Sequence, residues 1–74
     1  MDYQSDKQFG ARLRAIRAQR HLTQEQLSAM LQVRGTDLTR SALAKIEAGQ
    51  RHVYLDELVT LRQILDVSYE ELLG

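Results

Sequence analysis

Apolar positions recur along this chain at helical spacing. Phe9, Leu13 and Ile16 form one stripe, and Leu27 and Leu31 a second. Leu43 and Ile46, with Ala42, form a third, and Leu55, Leu58, Leu61 and Leu65 with Ile64 a fourth. No stretch alternates apolar and polar residues as a half-buried strand would. The polar residues at the stripe ends predict helix starts. Thr23 and Gln26 make a capping box, with Leu22 and Leu27 placed as a hydrophobic staple, so helix 2 is expected from Thr23 to Leu31. Thr39 repeats the pattern between Leu38 and Leu43, although Ala42 cannot close a box, and Gly49 suits a left-handed cap, giving helix 3 from Thr39 to Ala48. Ser68 with Glu71, flanked by Val67 and Leu72, predicts the last start, and Ser5 with Gln8 the first. These elements predict five helices in one all-α domain spanning residues 1–74.

Helix 3 has an unusual outward face. With Ala42, Leu43 and Ile46 turned inward, Arg40, Ser41, Ala44, Lys45 and Ala48 turn outward. Two alanines and a serine leave Arg40 and Lys45 alone projecting, a low relief suited to entering a groove. Alanines are also good helix formers on any solvated face.

Charge sharpens this picture. Ten basic and ten acidic residues cancel over the 74 residues, but unevenly. Residues 1–22 and 34–51 carry a basic excess, whereas residues 52–74 hold Arg62 against five acids. One face can therefore attract an anion while the whole stays neutral. Composition excludes other chemistry. There is no cysteine, and the two histidines, His21 and His52, lie in separate connections without ligand spacing. No cysteine nucleophile, phosphate-cradling glycine loop or embedded carboxylate pair is present, so the reading is a non-enzyme without metal or cofactor. The start MDYQSDKQ carries acids where an export signal carries a basic region, and apolar runs are short. A cytoplasmic protein with no membrane span is expected.

Three stretches in this order, FGARLRAIRAQRHLTQEQLSAML, TRSALAKIEAGQR and YLDELVTLRQILDVSYEELL, resemble the Cro and lambda-repressor-like DNA-binding domains over residues 9 to 73. The resemblance implies a helix-turn-helix built from helices 2 and 3, with helix 3 in the major groove of duplex DNA. Gln24 matches the family glutamine that binds a DNA phosphate and braces the start of the recognition helix. Thr39, Arg40, Ser41 and Lys45 match positions facing base edges and flanking phosphates. Arg17 and Glu47 match an ion pair tying helix 1 to the end of helix 3. Arg51 and Arg34, in the connections beside helix 3, are read as contacts to the DNA backbone. The function implied is sequence-specific duplex DNA binding by a small transcriptional regulator, a phage-type or plasmid-type repressor. The alternative is a protein-binding module, such as the antitoxin-like partner of a toxin, with weak DNA binding. A homodimer is expected because one recognition helix reads few base pairs, and Tyr69 and Leu73, at i and i+4, offer it an apolar patch.

The chain departs from the family pattern in three places. Gln32 to Leu38 makes a seven-residue connection where three or four are usual, with Gly35-Thr36-Asp37 reading as a turn. Ser28 stands where an alanine lets helices 2 and 3 approach, and Gln32 where glycine is frequent. Val53-Tyr54 replaces Pro-Ser, leaving Asp56 and Glu57 to favour the start of helix 4 electrostatically.

Overall fold

The computed structural model describes residues 3–74, with side chains from Ser5 onward. Five helices follow one another: α1 (Tyr3–Gln19), α2 (Gln24–Val33), α3 (Arg40–Glu47), α4 (Leu55–Leu65) and α5 (Tyr69–Leu73). There is no strand among the described residues, and no helix is long and apolar enough to cross a membrane.

Polar caps set three of the five starts. Thr23 Oγ1 accepts the Gln26 N–H at 3.0 Å while Gln26 Oε1 accepts the Thr23 N–H at 2.9 Å, so two groups at the head of α2 are satisfied reciprocally. Thr39 Oγ1 takes the Ala42 N–H and Ser68 Oγ the Glu71 N–H in the same way. The first start differs from the sequence pattern: α1 already runs from Tyr3, and Ser5 lies inside it. Asp6 supplies a negative charge in this earlier first turn, and the leading N–H groups lack intrahelical acceptors wherever the helix begins, so starting upstream carries little penalty.

The helices also end alike. Gly35 and Gly49 take positive φ, and the next residue returns its N–H to the helix, Thr36 to Leu31 O and Gln50 to Lys45 O. His21 and Asp66 do the same without glycine, at φ of 58° and 54°, with Leu22 N–H on Arg17 O and Val67 N–H on Arg62 O. Arginines in α1 and just after its end cover other helix ends. Arg20 Nε donates to Leu65 O at 2.9 Å, and Arg12 donates to Leu73 O at the end of α5.

One apolar cluster holds these pieces, with Leu13, Leu27, Leu31, Leu38, Leu43, Ile46, Leu61 and Leu72 fully buried. Leu55 is the exception to the fourth stripe, at 76% exposed. As the first residue of α4 it lies beyond the core, and Val53 packs against the cluster in its place.

α1 packs on α3 and α5, and α2 on α3 and α4. The α1–α3 approach depends on Gly10. A Cβ there would collide with the carbonyl oxygens of Ile46 and Glu47, the latter at 2.6 Å. Gly49 meets α1 as closely, since its Cβ would lie 2.7 Å from Lys7 Cα. Glycine in mid-helix weakens α1 locally, yet no larger residue lets the two backbones touch.

Candidate functional site

α2, the connection after it and α3 form a helix–turn–helix whose second helix presents one face to solvent. Arg40, Ser41 and Lys45 are exposed on it, with Ala48 exposed and Ala44 half-buried between them. Arg40 and Lys45 make no hydrogen bond or ion pair with any described residue. Two cationic side chains thus stand over an alanine surface with no internal partner. Thr39 is exposed at the head of the same helix, its hydroxyl oxygen occupied as the cap.

The long connection is pinned rather than loose. Ser28, buried in α2, donates to Leu38 O at 2.6 Å and accepts from Gln32 Nε2 at 3.2 Å. Thr36 Oγ1 donates to Thr60 Oγ1 on α4 at 2.9 Å. The extra residues are therefore fastened at both ends, to α2 and to α4, which fixes the entry of α3.

The far end of α3 is fixed by charge. Arg17 donates to both oxygens of Glu47, from Nε at 2.6 Å and Nη2 at 2.9 Å, and from Nη1 to Leu22 O at 2.7 Å. The hydrogen bond to Glu47 raises the Arg17 pKa against burial, and the carboxylate charge adds to it. Gln24 Nε2 completes the group, donating to Glu47 Oε1 at 3.0 Å. Its amide is thus fastened to the last residue of α3, whereas the resemblance implied bracing of that helix at its start.

Arg51 is committed elsewhere. Its Nη1 and Nη2 donate to the two oxygens of Glu57 at 2.9 and 3.0 Å, Nη1 also donates to His52 O, and the guanidinium lies 5.3 Å from the centre of the Tyr54 ring. Glu57 is 7% exposed and also accepts the Tyr54 N–H, while Tyr54 supplies no side-chain cap to the first N–H groups of α4. Burial pushes the Glu57 carboxyl up, but the hydrogen bonds from Arg51 and the Tyr54 N–H, with the Arg51 charge, outweigh it and hold the pKa below its ordinary value. Asp6, also buried, meets Nδ1 of His52 and ties α1 to the same connection. Sequence pattern alone did not pair these residues. The available signal was a glutamate at the third position of α4 six residues after an arginine.

The side chains proposed for the site thus fall into three sets. Thr39, Arg40, Ser41 and Lys45 stand together on the solvent face of α3. Arg17, Glu47 and Gln24 form a network behind it, and Arg51 closes a separate pair with Glu57. Between α1, the first turn of α2 and one side of α3 lies an open cleft of about 640 Å³, with Arg14, Gln24 and Arg40 on its walls. The patch raised for self-association is partly uncovered, Tyr69 at 42% exposed beneath the Arg62 guanidinium and Leu73 at 44%.

Comparison with known proteins agrees with this architecture. No curated protein matches the chain. Among solved structures, the restriction-modification controller protein C.AhdI from Aeromonas hydrophila superposes with a TM-score of 0.82 at 36% identity, over 95% of this chain and 94% of that one. The DNA-binding domain of BldD gives 0.79 at 30% identity over the whole of both chains, and that of S. venezulae BldD gives 0.78 at 30% identity over 96% and 99%. The helix-turn-helix family model matches residues 13–72. With that match across most of its length, the chain belongs to the helix-turn-helix family of the Cro/C1 type.

Proposed function

We propose that this protein is a small transcriptional regulator that binds duplex DNA with α3 in the major groove, acting as a repressor in the cytoplasm. The observation that carries this reading is the solvent face of α3: two cations without internal partners over a shallow alanine surface, on a helix fixed at both ends. C.AhdI, a restriction-modification controller, and the DNA-binding domain of BldD share the architecture at 36% and 30% identity.

Each residue then takes a physical role. Arg40 offers a bidentate donor pair to guanine O6 and N7, worth about 1–3 kcal/mol against a wrong base. Ser41 serves either base type, and Lys45, one turn on, takes a second guanine or a phosphate. Thr39 and Gln24 face the strand at the heads of α3 and α2 and approach its phosphates. Arg51, neutralised by Glu57, contributes by fixing the chain after α3. Two copies joined through the side bearing Tyr69 and Leu73 would present two such helices to half-sites about one helical turn apart.

Fluorescence anisotropy on random duplex DNA at about 50 and 200 mM salt tests this directly. Binding that is firm at low salt and falls steeply at high salt supports it. No binding at low salt would contradict it and favour a protein-binding module.

A further inference from the structure

The cleft beside α3 does not stop at α2. It adjoins a second hollow of about 490 Å³ along α1, and the two share Arg14, Ala18, Glu47 and Ala48. Together the two hollows form a furrow that begins at Arg40, passes the head of α2, follows one side of α3 to Ala48 and crosses the outer face of α1. We propose that this furrow is a track for the sugar-phosphate backbone of the DNA strand beside the groove that α3 enters, with Arg14 as a phosphate-contacting residue. The inference rests on α3 being the groove-entering helix.

Charge, shape and availability support it together. Within the cleft Arg17 and Glu47 neutralise one another, which leaves Arg14 and Arg40 opposed by Glu25 alone. Arg14 is exposed and has no hydrogen-bond or ion-pair partner among the described residues. It lies one turn before Arg17 on α1, so it faces the same furrow from farther out. The surface beside it is low, formed on α1 by Ala11, Ala15 and Ala18, with Lys7 two turns away from Arg14 along the same hollow. A strand can lie close to such a surface, while a flexible guanidinium at its edge reaches a phosphate without fixing a base. Glu25, exposed in the first turn of α2 and lining the same cleft, repels the same strand. The two residues therefore act with opposite sign on one ligand.

The test uses the whole chain on a duplex it binds, by anisotropy across a salt series. Arg14→Ala should weaken every duplex several-fold to the same degree, lower the slope of log affinity against log salt by about 1, and leave base preference and thermal unfolding unchanged. Arg14→Lys should restore the slope, and Glu25→Gln should strengthen binding to all sequences. Wild-type affinity and slope in Arg14→Ala would overturn the track while leaving α3 as the reading helix. A chain that binds no duplex at any salt would overturn both.

Discussion

Arg17 and Glu47, 30 residues apart, meet in two hydrogen bonds of 2.6 and 2.9 Å that join the last turn of α1 to the last residue of α3. Both side chains are largely withdrawn from water, at 13% and 3% exposed. Removing one partner leaves a charge in a poorly solvated place. Glu47→Ala should therefore cost about 3–5 kcal/mol, whereas Arg17→Met with Glu47→Leu should cost clearly less than the two single losses added. A double-mutant cycle by urea unfolding measures this. Additive losses below about 0.5 kcal/mol would place both side chains in solvent.

Gly10 gives a prediction of unusual sign. In an ordinary mid-helix position Gly→Ala stabilises by about 0.5–1 kcal/mol. Here the added methyl meets the backbone oxygens of Ile46 and Glu47, which cannot swing aside as a side chain would. Gly10→Ala should instead destabilise, by about 1–3 kcal/mol, through forced separation of α1 from α3. A rise in the urea midpoint would show that the helices do not cross there.

Asp66 ends α4 at φ 54° with its side chain exposed, a conformation costing an L residue about 1–2 kcal/mol that glycine largely escapes. It also sets a negative charge at a helix C-terminus. Asp66→Gly should raise stability by about 0.5–1 kcal/mol, seen as a higher midpoint with an unchanged slope in urea.

Glu57 makes stability depend on acid. Its folded pKa is depressed, so the pair with Arg51 contributes fully above the unfolded value of about 4.3 and is lost as pH falls below that through the folded value. The wild type should lose more stability than Glu57→Gln as pH drops from about 5 to 3. Parallel curves for the two would remove Glu57 from the account.

Three helix heads were legible because caps are local: Thr23, Thr39 and Ser68 each bind an N–H three residues on. The end at Gly49 was visible for a related reason, since glycine advertises a left-handed residue, whereas Gly35 read as a turn within a connection begun at Gln32 and instead closes α2, which runs past Leu31 to Val33. His21 and Asp66 carry no such mark. Their geometry comes from the next residues, Leu22 and Val67, which must turn back to pack on the core, and that is a tertiary demand. Leu55 fitted its stripe and still lies outside, because periodicity shows a face but not where the core ends. The outward set on α3 followed from the helical wheel, as it concerns one helix alone. The commitment of Arg51 to Glu57 did not, because a charged side chain in a connection reads the same whether it waits for a phosphate or already holds a carboxylate.

The central claim is that α3 reads base edges, and Arg40 tests it most directly. Binding of the wild type and Arg40→Ala should be measured over all single-base variants of a duplex selected from a random pool. The account predicts that the profile of Arg40→Ala flattens at one position of each half-site, by about 1–3 kcal/mol of lost discrimination, and stays sharp elsewhere. Equal weakening on every sequence, with the profile unchanged, would contradict it.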